Sequence, residues 1–131
     1  MIDGVPDTFP HLRFGFIEVS SQWVPHVVHD LARRFEWKGR SLAKDLLRDN
    51  RLYVACQPDD DLAYVLSYAG EDNLLIGTDY GHQDQSSEIT ALRNLRTSSG
   101  LDPAVVDRIL GPNAEEFYGI SVPVRATLAA V

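Results

Sequence analysis

Short apolar runs alternate with helix-patterned segments along this 131-residue chain, and that order predicts an α/β protein on a parallel sheet. Three observations carry the prediction. Three runs rich in β-branched and aromatic residues stand apart in the sequence. Each is apolar nearly throughout instead of alternating, which suits strands buried on both faces, as in parallel sheets. The stretches between them have the spacing of helices, with capping residues at their ends.

The strand candidates are residues 12–19 (LRFGFIEV), 52–57 (LYVACQ) and 74–77 (LLIG). Between the first two, Trp23, Val27, Leu31 and Phe35 fall on one helix face over 23–35, with Pro25 in the first turn, where its missing N–H costs nothing. A second helix is expected over 41–48, starting at an N-cap Ser41. The acidic run Asp59-Asp60-Asp61 caps a helix over 61–69 that Gly70 closes. Residues 87–98 form a helix ending before Gly100, and Asp102-Pro103 starts another that runs to Leu110. A last short helix covers 113–118, and 121–131 is a tail without pattern. No repeat or linker divides residues 1–131, so a single domain is expected.

Hydrophobic residues are 44% of the chain and charged residues 24%, enough apolar material for a packed core and too little net polarity for disorder. The net charge of −7 excludes nucleic acid as a partner, because a phosphate backbone demands a basic patch. No apolar run reaches the roughly 18 residues of a membrane span, and no signal peptide opens the chain, so no membrane partner and a cytoplasmic location are expected. Cys56 is the single cysteine and reads as a buried apolar residue. Trp23 and Trp37 read as packing residues, His11 as an exposed turn residue, and His26 and His29 as outer-surface residues of the first long helix.

In parallel α/β folds chemistry gathers at the carboxyl ends of the strands. Glu18 stands at the end of the first run, Gln57 and Asp59 at the end of the second, and Asp79, Tyr80, His82 and Asp84 just past the third. An aspartate leaving a buried apolar strand is costly unless it is paired or metal-bound. A histidine three residues on adds a ligand or a proton carrier. The spacing alone leaves a second reading open, in which Asp79 accepts backbone N–H groups in a turn.

Four stretches, in order and with natural spacing over residues 6–120, resemble the amidohydrolase-2 family of the amidohydrolase superfamily. NLLIGTDYGH, residues 73–82, is similar to that family's last-strand "LLFGSDYPH", with Gly81 in place of the proline. VDRILGPNAEEFYGI, residues 106–120, resembles its closing helix and "NA" pair. FPHLRFGFIE, residues 9–18, followed by Trp23-Val24-Pro25, is similar to its sixth-strand region, and LYVACQPDD, residues 52–60, to its seventh.

The resemblance implies a partial (β/α)₈ TIM barrel with strands six to eight in parallel. It implies a divalent metal, zinc or manganese, at the strand ends. It implies hydrolysis or decarboxylation of a small, often aromatic, carboxylic acid. Asp79 matches the last-strand aspartate and is the implied metal ligand and catalytic base, with His82 beside it. Glu18 takes a metal-ligand position where histidine is common, and Gln57 and Tyr80 fall where substrate binds. The first-strand His-x-His pair and the fifth-strand ligand have no counterpart in the 131 residues. The chain alone is therefore expected to bind metal weakly or not at all and to lack hydrolase activity. The alternative function is a non-catalytic, self-associating or binding module. Either way a homo-oligomer is expected, because three strands leave two open sheet edges.

Overall fold

The computed structural model describes residues 4–83 and 87–123. The elements follow in order: α1 (Val5–Thr8), β1 (Phe14–Phe16), α2 (Val24–Trp37), α3 (Leu46–Asp49), β2 (Leu52–Cys56), α4 (Leu62–Ala69), β3 (Leu74–Ile76), α5 (Ala91–Ser98), α6 (Pro103–Leu110) and α7 (Pro112–Tyr118). The strands form one sheet in the order β1-β2-β3, both pairs parallel. Phe14 pairs with Leu52, and Val54 with Leu74. The α/β class, the parallel sheet and the strand order are those expected, and they are compatible with part of a (β/α)₈ barrel. No helix among the described residues is long and apolar enough to cross a membrane.

Several boundaries differ, each for a local reason. The first strand is three residues long, because Glu18 and Ser20 adopt left-handed backbone (φ 63 and φ 55) that ends the ladder. The helix before β2 begins at Leu46, with Asp45 preceding it, because residues 41–43 make no helical turn. The helix expected over 87–98 starts at Ala91. The brief α1 has no apolar period to announce it. The capping expectations hold at Asp61, which accepts from the Tyr64 N–H at 3.2 Å, and at Asp102, which accepts from the Ala104 N–H at 2.8 Å. Trp37 is corrected: it closes α2 at 86% exposure, past the last residue of the helix's inward face. Trp23 packs edge-on against Phe16 at 5.3 Å, as a core-flanking residue should. Most of the tail, from residue 124, and Asp84 lie outside the described residues.

The sheet has two distinct faces. Leu52, Val54, Cys56 and Leu74 join the main core with Val24 and Leu31 of α2, Leu62 and Val65 of α4, and Val105, Val106 and Ile109 of α6. Tyr53, Ala55 and Leu75 alternate with them and face the other way. At the amino end of this second face, α7 closes the sheet. Phe117 stacks against Tyr53 with ring centroids 5.0 Å apart, and it lies over Gly15. A Cβ on Gly15 would sit 2.6 Å from the Phe117 Cζ. Gly15→Ala should therefore force that ring to move and cost about 1–3 kcal/mol, read as a lower thermal midpoint. The burial expected on both faces holds for β2 and for Leu74 and Leu75 of β3, but not for β1, whose residues are half-buried or exposed.

Candidate metal site at the carboxyl edge of the sheet

Beyond the strands, the second face continues through Ile17, Gln57, Gly77 and Asp79 into a half-open cleft of about 220 Å³. Ala55, Cys56, Glu18 and Ser20 complete its walls. The floor is apolar and the rim polar. Two side chains of that rim, Glu18 and Asp79, meet His82 beside it. The His82 Nδ1 lies 3.0 Å from each Asp79 carboxylate oxygen and 3.9 Å from the Glu18 Oε1. One ligand atom from each of Glu18, Asp79 and His82 falls within 4.8 Å of the others.

The backbone explains the convergence. Glu18 and Asp79 follow the ends of β1 and β3, and both have left-handed φ, 63 and 50. Such residues cost about 1–3 kcal/mol each and persist where surrounding structure fixes them. Ser20, at φ 55, makes a third beside the same cleft. After Asp79 the chain turns on Gly81, at φ 103, and the His82 N–H reaches back to the Asp79 carbonyl at 3.3 Å. Gly81, with no Cβ to clash at this φ, is thus the residue that lets the turn form.

Of the residues singled out in the sequence, Glu18, Asp79 and His82 come together. Gln57 is half-buried and lines the cleft a short way in. Tyr80 is 84% exposed and is not among the cleft-lining residues. Asp59 points to solvent. Burial, with the charge of Asp60 nearby, pushes the Cys56 thiol up to about 12, which keeps it a protonated, inert wall.

Sequence reading missed Asp60, which it assigned to helix capping with its neighbours. Its carboxylate instead joins the loops after β1 and β2. The Oδ1 accepts from the Ser20 hydroxyl at 2.5 Å, and the Oδ2 accepts from the Ser21 hydroxyl at 2.6 Å and the Ser21 N–H at 2.9 Å. The Gln57 N–H also donates to Oδ2 at 2.9 Å. Partial burial raises the carboxyl's pKa, but these four donors outweigh it and hold Asp60 below its ordinary value. A depressed carboxyl stabilises the fold above its unfolded pKa and loses that contribution as pH falls through the lower folded value. Acid unfolding curves should therefore show a component below about pH 4 that disappears in Asp60→Asn. The two consecutive serines at 20 and 21 were the available signal, since paired hydroxyls after a strand seek an acceptor.

No protein-family model and no curated protein sequence matches the chain. Among solved structures, an amidohydrolase of Mycobacterium avium subsp. paratuberculosis K-10 is similar in fold, with a TM-score of 0.70 and 23% identity. The match covers 88% of this chain and 30% of that one, so the chain spans under a third of that structure's length. At this identity the likeness establishes the fold: parallel strands and their helices arranged as in a portion of an amidohydrolase.

Proposed function

We propose that the chain carries part of the metal-dependent site of an amidohydrolase-superfamily enzyme, with Asp79, Glu18 and His82 holding one divalent cation. The convergence of these three side chains from the ends of two strands is the observation that carries the reading. Their donor set fits such an ion. Zinc–ligand distances are about 2.0–2.2 Å, so two ligands of one cation lie no more than about 4.4 Å apart. The observed spread of up to 4.8 Å lies close to that, in side chains at an exposed rim. Two carboxylates and one imidazole suit manganese or zinc alike.

A bound dication lowers the pKa of water and stabilises negative charge that develops on a substrate. The chain's own residues would do the rest. Asp79 is the base that would accept a proton, and His82, its Nδ1 3.0 Å away, would orient that carboxylate. The apolar floor of Ile17, Ala55 and Gly77 excludes water around the reacting group, and Gln57 offers an amide to a polar substituent. The substrate class that fits the resemblance is a small, aromatic or aliphatic carboxylic acid, hydrolysed or decarboxylated.

Titration of the purified chain with Mn²⁺, followed by the loss of the free-ion spectroscopic signal, tests the site. With only three ligands the binding should be weak but saturable, approaching one ion per chain, and Asp79→Asn should weaken it by more than about tenfold, or roughly 1.4 kcal/mol. An unchanged isotherm in that variant would sink the reading. Absence of Mn²⁺ binding in the wild type would leave standing the alternative, a non-catalytic chain that self-associates through the sheet edges no other described strand covers.

A further inference from the structure

We propose that Asp60 is a positioning residue for this site, a clamp whose carboxylate fixes the loop of residues 17–21 and so holds Glu18 against Asp79 and His82. The inference rests on the metal-site reading above. Glu18 is the one member of the trio that comes from the β1 side of the sheet, and β1 ends two residues before it. Its backbone is left-handed, a conformation an unrestrained glutamate leaves readily for extended structure. Something must hold it.

Trp23 and Asp60 anchor the far end of the loop. The Trp23 indole N–H donates to the Ser20 carbonyl at 2.9 Å, from within α2's own approach. The rest come from Asp60 on the β2 side: both serine hydroxyls and the Ser21 N–H converge on its two oxygens. Ser21 is fully buried, so its donors have no water to turn to if Asp60 is lost. The same Oδ2 accepts from the Gln57 N–H, so one carboxylate sets Glu18's loop and the start of the loop after β2 in a single register. Asp60 touches none of the three ligand side chains in these contacts. Its effect on an ion would pass through the position of Glu18.

The test compares Mn²⁺ dissociation constants for the wild type, Asp60→Ala, Asp60→Asn, Ser20→Ala and the control Asp59→Asn, each measured well below its melting midpoint. Outer residues that orient metal ligands typically cost 10–100-fold in affinity when removed, and about that loss is expected for Asp60→Ala. Asp60→Asn, which keeps acceptors but loses the carboxylate's full set, should fall between. Ser20→Ala leaves Asp60 in place and should weaken binding in the same direction, which keeps the inference testable should Asp60→Ala fail to fold. Asp59→Asn removes the same charge next door without touching the clamp. It should change affinity by no more than about twofold, since exposed charges are largely screened. Amide hydrogen exchange at Ser21 should speed up in the Asp60 variants and not in Asp59→Asn.

The outcomes separate. Mn²⁺ binding lost in Asp79→Asn but unchanged in Asp60→Asn and Ser20→Ala, with only their melting points lowered, would overturn the positioning role and leave the site. Equal weakening by Asp59→Asn would overturn it too, as a plain charge effect. No binding in the wild type would overturn both the site and the clamp.

Discussion

Asn113→Ala is expected to lower stability by about 2–4 kcal/mol, since each buried polar group left without its partner costs about 1–3 kcal/mol. The Asn113 side chain is 2% exposed, and its amide nitrogen donates to the Leu74 carbonyl at 2.9 Å and to the Glu71 carbonyl at 2.8 Å. Through these two bonds the first turn of α7 grips the start of β3. Behind that grip sits Phe117, over Tyr53 and Gly15, so the closure of the sheet's amino end depends on it. Alanine removes both donors and leaves two carbonyls facing a void. Asn113→Asp keeps the volume but points a carboxylate at two acceptors. It should do at least as much damage at neutral pH, and regain stability in acid as the carboxyl takes up a proton and can donate once more. Chemical denaturation at two pH values reads both effects. A loss under about 0.5 kcal/mol, the range of an ordinary surface change, would show that α7 is not held this way.

Asn113 also shows what the sequence made legible. It was visible there as part of a closing motif, yet nothing in the spacing says that its amide reaches back to a strand start about 40 residues earlier. The strands themselves were legible because unbroken apolar runs have few other uses in a chain this short. LYVAC at residues 52–56 became β2 almost to the residue. LRFGFIEV did not survive as one strand, because its last residues were read by composition while their backbone is set by tertiary contacts. Glu18 is left-handed inside the run expected to be extended, and Ser20 is left-handed just past it, where Asp60 accepts from both serine hydroxyls. Conflict between local preference and final structure falls at the candidate site, where such conflict is expected.

The site divides in the same way. Asp79 and Glu18 were legible because strand ends in parallel sheets open to one edge. His82 followed from its spacing. That the three meet depends on the turn at Gly81 and the left-handed backbone at two acids, neither of which has a period or propensity to read. Tyr80 stands apart from the cleft lining for the complementary reason: neighbours in a turn point in different directions, and a motif position does not fix which. Asp60 was misread because acids before a helix usually cap it, and Asp61 does cap α4, while the residue before it turned instead toward another strand's loop.

Self-association is the largest effect expected of this chain alone. Both outer strands, β1 and β3, present edges that no other described strand pairs, and unpaired edges invite another chain. Beside the β1 edge, Phe16, Ile17 and Val19 are 41%, 49% and 51% exposed, an apolar cluster at the carboxyl end of the strand. Apolar residues from the sheet's second face extend it toward the cleft. A second copy is the simplest cover, placing like faces together about a two-fold axis. Association at micromolar concentration corresponds to about 8 kcal/mol and calls for roughly 1,000 Å² or more of buried surface. Sedimentation velocity at micromolar concentration should therefore show a species larger than the monomer. Ile17→Lys combined with Val19→Lys should return it to monomer, because lysine on an edge resists pairing, while circular dichroism keeps the wild-type helix signal. A wild-type chain that sediments as a clean monomer would mean that the open face tolerates water after all, and the non-catalytic, self-associating alternative would fall with it.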